Sequence, residues 1–167
     1  KTQLCSLADA MLFLTFLSSR NPRWLIEEQV LAASDVKSLG IPTIATGYLL
    51  FESGITTSVG FFSTTPPLPR DKPELAVAHG LAAQFMGMRA LYLDAGSGAK
   101  KAVPLEIIKS VRENVDLTLI VGGGIRSPEL SANYAKYADV VVVGNYFEEE
   151  GKLDKLGEFA EWVHSAR

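Results

Sequence analysis

The chain has 167 residues, 47% of them hydrophobic and 21% charged, with a formal net charge of −3. That balance suits one folded domain over residues 1–167 and excludes a disordered chain; without Lys/Arg clusters interleaved with aromatics, no nucleic-acid partner is expected. The single cysteine, Cys5, excludes an internal disulfide and fits a reducing, cytoplasmic setting, and the longest apolar stretch, near Ala10 to Leu17, is too short to cross a bilayer.

Strand-like and helix-like patterns alternate five times. Ala10 to Leu17 reads as a strand buried on both faces. Asn21-Pro22 reads as an N-cap followed by a proline at the first helical position, with Leu25, Ile26, Val30 and Ala33 at helical spacing. Gly40 ends that helix, and Thr43 to Phe51 is the second strand. The segment from Glu52 to Arg70 is rich in Gly and Pro, and loops of that length are often functional. Within it, Thr57 to Phe62 is expected to form a short strand. Asp71 and Glu74 have the pattern of a capping box for a helix running to about Gly87. Ala90 to Asp94 is the third strand, and Pro104 opens a helix with Leu105, Ile108 and Val111 on one face. Leu117 to Val121 is the fourth strand, followed by a helix carrying Leu130, Tyr134 and Tyr137. Ala138 to Val143 is the fifth, and a last amphipathic helix is expected to turn Leu153, Leu156, Phe159 and Val163 inward.

This alternation predicts an α/β fold with a parallel sheet under helical cover. Two strand ends stand out. Val121-Gly122-Gly123-Gly124-Ile125-Arg126 runs into the helix start Ser127-Pro128-Glu129, and the next strand ends in Gly144-Asn145. Glycines let backbone N–H groups approach an anion, and a following helix aims its positive end at it. In a (β/α)8 barrel such a phosphate cradle follows strands seven and eight, and a whole barrel takes about 250 residues. The five units here therefore form either a short open sheet or the end of a barrel whose first three units lie outside this sequence.

Ser19-Arg20-Asn21-Pro22, Pro69-Arg70-Asp71-Lys72-Pro73-Glu74, Tyr92-Leu93-Asp94-Ala95-Gly96-Ser97-Gly98-Ala99 and the Gly122 to Arg126 run occur together and in order. With them, nearly the whole chain resembles the geranylgeranylglyceryl phosphate synthases and their bacterial heptaprenylglyceryl phosphate relatives. The joint pattern is specific, whereas Gly-Gly-Gly-Ile-Arg alone occurs in other phosphate-binding barrels. The resemblance implies a TIM barrel of the prenylglyceryl phosphate synthase type, of which this chain supplies about five C-terminal βα units from strand four onward. It implies a prenyltransferase of archaeal-type ether lipid biosynthesis: a hydroxyl of sn-glycerol 1-phosphate attacks C1 of a prenyl (geranylgeranyl) diphosphate and pyrophosphate leaves, helped by Mg²⁺. The family's Mg²⁺-binding aspartate and a lysine near the phosphate belong to a strand-one segment that this sequence lacks, so no metal ligand is expected among these residues. A homo-oligomer is implied, working in the cytoplasm beside the membrane that takes its product.

The residues carry these roles with bland alternatives beside them. Tyr92 and Asp94 lie two apart at a strand end and share a face. Asp94, where the family usually has glutamate, is either the general base or a cap for the loop Ala95 to Gly98. Tyr92 either donates to the glycerol phosphate or packs as a core aromatic with a satisfied hydroxyl. Ser97 and the N–H groups of Gly96 and Gly98 either join the anion site or form an ordinary turn. Gly122, Gly123, Gly124, Gly144 and Asn145 are the cradle, or merely tight strand-to-helix turns. Arg126 either meets an anion or pairs on the rim. Arg70 and Lys72 either meet the diphosphate or stand in solvent, and Lys100 and Lys101 read as a solvated pair. Tyr48 is the strongest candidate for the prenyl diphosphate groove, with Phe13, Phe16, Phe61 and Phe62 as weaker lining. Phe13 and Phe16 cannot both face inward on one regular strand. Trp24 and Trp162 are candidate interface anchors. His79 and His164 have no partner in the pattern. Mg²⁺ can enter with the diphosphate that carries it. Two rivals remain: another phosphate-binding barrel enzyme with a shorter pocket, or a noncatalytic chain that binds phosphate or assembles with a partner.

Overall fold

A computed structural model describes residues 4–166. Five parallel strands, β1 (Met11–Phe16), β2 (Thr43–Leu50), β3 (Ala90–Asp94), β4 (Thr118–Gly122) and β5 (Val140–Val142), lie side by side in chain order. Each strand returns through helical cover: α1 (Glu28–Leu39), the short α2 (Ser58–Ser63) with α3 (Pro73–Phe85), α4 (Leu105–Asn114) and α5 (Pro128–Ala135). After β5 come α6 (Asn145–Glu148) and α7 (Leu156–Ser165).

The central strands β2, β3 and β4 are largely apolar, and the face turned to the helices is wholly so at the middle of the sheet. Leu49, Leu91, Leu93, Leu119 and Val121 share one face and pack with Ala76, Ala83, Ile107, Ile108, Val111 and Tyr134 from the helices. Leu91 and Leu93 are wholly buried, each contributing about 1.5–3 kcal/mol of apolar burial. The opposite face carries Tyr48, Tyr92 and Ile120 in register, and above them Leu50, Asp94 and Gly122. Gly122 pairs in turn with Val142. The strands thus finish level, and the loops after them share one rim. Among the described residues β1 and β5 each have one strand neighbour.

Four expectations are corrected. Thr57 to Phe62 is not a strand: Thr57 caps α2, its side chain accepting from Gly60 N–H. The capping box at Asp71 and Glu74 does not form, because α3 starts one residue later, with Lys72 at the N-cap and Pro73 at the first helical position. Leu153 and Leu156 do not turn inward but are 68% and 54% exposed. They lie in the tight turn Leu153–Lys155 and at the first position of α7, ahead of the part of that helix that meets the core through Phe159. The fifth strand is shorter than expected at both ends: Ala138 N–H still donates to Tyr134 O in the turn after α5, and the chain leaves the sheet after Val142, ahead of α6. By contrast Asn21 does cap its helix, its Oδ1 accepting from Arg23 N–H at 3.0 Å. That helix opens with a π-helical turn, Arg23–Glu27, before α1.

Candidate functional site

The rim above β3, β4 and β5 holds a cleft of about 90 Å³ whose lining includes Tyr92, Asp94, Ser97, Gly98, Gly123, Gly124, Gly144 and Asn145. Gly123 and Gly124 follow β4 with φ of +78° and +71°, a left-handed pair that side chains resist. The turn also needs their small size. A Cβ on Gly123 would stand 2.5 Å from Asp94 Oδ1 and 2.7 Å from Gly96 N, and one on Gly124 would stand 3.0 Å from Ala102 N. Among the described residues the N–H groups of Gly123, Gly124 and Gly144 have no protein acceptor. Free main-chain donors around a small cleft make an anion cradle.

Asp94 ends β3 at the edge of that cleft. Its Oδ2 accepts from the Tyr48 hydroxyl at 2.5 Å and its Oδ1 from Gly96 N–H at 2.9 Å. Tyr48 is 4% exposed, and burial, with the Asp94 charge and hydrogen bond adding to it, raises its hydroxyl far above the usual tyrosine range. The hydroxyl therefore stays protonated and holds the carboxylate still. Tyr92 stands beside it, its ring edge-on to Tyr48 at 5.5 Å. Among the described residues its hydroxyl has no acceptor, which leaves it a free donor, and burial followed by the Asp94 charge raises its pKa as well.

A second trough, of about 630 Å³, is lined by Phe16, Trp24, Ser58, Val59, Phe62 and Ser63, together with the same Asp94 and Ser97. Its volume falls within the range of small-molecule sites. Phe16 packs on Tyr48 at 4.4 Å and on Trp24 at 5.8 Å. A polar cleft with free donors and a wider trough with an aromatic wall thus meet at one carboxylate.

A family model described as the PcrB family matches residues 1–162. The chain belongs to the PcrB family. The geranylgeranylglyceryl phosphate synthase of Korarchaeum cryptofilum is 48% identical over 143 residues, covering 85% of this chain and 59% of the relative. That of Methanothermobacter thermautotrophicus is 48% identical over 160 residues, covering 95% and 64%. In structure the chain resembles the (S)-3-O-geranylgeranylglyceryl phosphate synthase of Thermoplasma acidophilum in complex with its substrate sn-glycerol-1-phosphate, with a TM-score of 0.90 at 33% identity. That comparison covers 97% of this chain and 66% of the other. This PcrB-family chain therefore spans somewhat under two thirds of the length of these relatives.

The structure brings Tyr92, Asp94, Ser97, Gly98, Gly123, Gly124, Gly144 and Asn145 together, with Gly122 against the Tyr92 hydroxyl, which an added Cβ would meet at 2.6 Å. Some expected roles shift. The N–H groups of Gly96 and Gly98, expected as anion donors, are taken by Asp94 Oδ1 and by Asn145 Oδ1 at 2.7 Å. The Asn145 side chain is also spent, its Nδ2 donating to Glu148 at 2.7 Å. Arg126 lines the cleft and pairs with Glu149 at 3.3 Å. Arg70 and Lys72 line neither cleft: Arg70 donates to main-chain carbonyls, and Lys72 is exposed at the start of α3. Tyr48 lies behind Asp94 and does not line the trough. Phe16 lines the trough, and Phe13 lines a separate groove with Ala33 and Val36. Trp24, read from sequence as an interface anchor, is part of the trough wall. Its place three residues past the Asn21 cap gave no signal that separates such a wall from an exposed aromatic.

Proposed function

We propose that this chain carries the reaction centre of a prenyltransferase of archaeal-type ether lipid biosynthesis, joining sn-glycerol 1-phosphate to a prenyl diphosphate. The observation that carries the reading is the meeting of two unlike clefts at Asp94 and Ser97. The phosphate of the acceptor enters the small cleft, gripped by the N–H groups of Gly123, Gly124 and Gly144 and by the Tyr92 hydroxyl. Its free hydroxyl then points to Asp94. The prenyl chain lies along Phe16, Trp24 and Phe62. Asp94 accepts the hydroxyl proton as the oxygen attacks C1 of the donor, the C–O bond to the leaving diphosphate breaks, and pyrophosphate departs with the bonding pair. Two hydrogen bonds fix Asp94 during that transfer. The identities to geranylgeranylglyceryl phosphate synthases, and the glycerol phosphate bound by the Thermoplasma acidophilum enzyme, support this assignment.

Mg²⁺ enters no step of this reading. Among the described residues no three His, Cys, Asp or Glu side chains gather to hold a metal ion. The reading extends to a (β/α)8 barrel of which these five strands are one part, supported by their sequential parallel order. It extends also to a cytoplasmic homo-oligomer beside the membrane that receives the lipid; among the described residues no helix is long and apolar enough to cross a membrane.

The test is incorporation of radiolabelled sn-glycerol 1-phosphate into ether product with prenyl diphosphates of several lengths, using the intact protein. Product formation that Asp94→Ala lowers by about 10²–10⁴-fold, without a matching loss of stability, is expected. Glycerol phosphate binding without any product would point instead to a noncatalytic chain, and unchanged turnover in Asp94→Ala would remove Asp94 from the mechanism.

A further inference from the structure

We infer that Arg70 is a positioning residue for the phosphate cradle, tying down the loop between β3 and α4, and not a ligand of the diphosphate. The inference rests on the glycerol phosphate reading above. One guanidinium nitrogen, Nη1, donates to Ala102 O at 2.7 Å and to Glu52 O at 3.0 Å. The next carbonyl, Val103 O, accepts from the buried Tyr134 hydroxyl. Two consecutive carbonyls of one loop are thereby held from two sides, from the segment after β2 and from α5. Ser53 O adds a third tie by accepting from the N–H groups of Lys100 and Lys101, at 3.1 and 2.9 Å.

The held loop is the wall of the cradle. A Cβ on Gly124 would stand 3.0 Å from Ala102 N and 3.1 Å from its Cα, so the glycine turn already lies directly against Ala102. Gly124 N–H is one of the free donors. If Ala102 moves away, that donor loses the backbone that holds it in place; if Ala102 moves in, the glycine turn must shift. Close-packed backbone has no slack to absorb either displacement. Arginine suits the task because its rigid planar head stays charged and presents several donors in fixed directions, whereas a lysine ammonium on a flexible stem recovers only part of that geometry.

The experiment uses Arg70→Met and Arg70→Lys in the intact protein. Hydrogen exchange without ligand reads the tie directly: in Arg70→Met the amides of Lys100 to Val103 are expected to exchange faster while those of β1 do not change. Calorimetric titration with sn-glycerol 1-phosphate is expected to show Kd rising on the order of tenfold in Arg70→Met, with Arg70→Lys between it and wild type. The KM for the prenyl diphosphate is expected to stay unchanged. A rise confined to that KM would make Arg70 a diphosphate ligand and overturn the inference. Unchanged exchange, or faster exchange with an unchanged Kd, would overturn it too. Failure of the wild-type protein to bind glycerol phosphate would sink the proposed function instead, a result read separately from the exchange data.

Discussion

Replacing Gly123 by alanine tests the cradle at its tightest point. The residue has φ of +78°, and an added Cβ would stand 2.5 Å from Asp94 Oδ1, 2.7 Å from Gly96 N and 2.8 Å from Ala95 N. Two of those three neighbours are backbone, held by Asp94 Oδ1 on Gly96 N–H and by Gly122 O on Ala95 N–H, so they cannot swing aside. A left-handed conformation costs a side-chain-bearing residue roughly 1–2 kcal/mol and overpacking about 1–3 kcal/mol, together about 2–5 kcal/mol. Against a domain stability of about 5–15 kcal/mol that is a large fraction. Gly98→Ala is the matched control: its φ is +75°, but nothing lies within 4 Å of an added Cβ, so it carries the conformational cost alone. Urea unfolding of both variants gives the stability difference, and titration with sn-glycerol 1-phosphate shows whether the cleft survives. Gly123→Ala is expected to be the less stable and to lose binding. Equal midpoints and equal binding in the two variants would refute the steric argument, and with it the claim that the turn after β4 is shaped by contact with Asp94.

Two further outcomes are expected. Burial raises the Tyr48 and Tyr92 hydroxyls, with Asp94 adding to both, and pushes Tyr134 up to about 12 against the opposing charge of Arg70. Stability from these retained protons is complete below the unfolded tyrosine value of about 10 and is lost as pH climbs from there through the native values. Near-ultraviolet titration should therefore show these tyrosines ionising only as the chain unfolds, with one fewer late group in Tyr48→Phe; reversible ionisation of all five tyrosines near pH ~10 in the folded chain would contradict this. The last helix gives the other outcome. Phe159 is 4% exposed and lies 4.9 and 5.0 Å from the rings of Tyr146 and Phe147, so Phe159→Ala should cost about 3–5 kcal/mol. Leu156→Ala, at a position 54% exposed, should stay within about 0.5 kcal/mol, and a larger loss in thermal unfolding would restore the inward orientation read from sequence.

The sheet was legible because each strand is a largely apolar run followed by a helical pattern. Burial on both faces, read for Ala10 to Leu17, does not hold there: β1 is partly exposed throughout, with Leu12 37% exposed, because it lies at one end of the strand order. Asn21 was legible as a cap because its partner, Arg23 N–H, is two residues away. The segment Thr57 to Phe62 misled for the complementary reason: its β-branched and aromatic residues favour a strand in isolation. Thr57 instead packs against Gly96, where an added Cβ would meet it at 2.9 Å, and its hydroxyl starts a helix there. Within the cleft, the glycine turns and Asp94 announced themselves as strand ends. The inward role of Trp24 and the tie made by Arg70 did not, since a charged or aromatic residue after a strand has the same local pattern whether it faces solvent, substrate or another loop.

Periodicity, caps and glycine turns depend on residues within a few positions of one another, so the chain alone set the order of the five strands and the long helices between them and brought Asp94 and the glycines to strand termini, whereas the helix at Ser58–Ser63 was decided by packing. Which donors remain free was decided by partners far away in the chain. Tyr48 reaches Asp94 across 46 positions, and Asn145 takes the Gly98 N–H across 47. A hydrogen bond needs its partner near 3 Å, a separation that only the packing of distant segments creates.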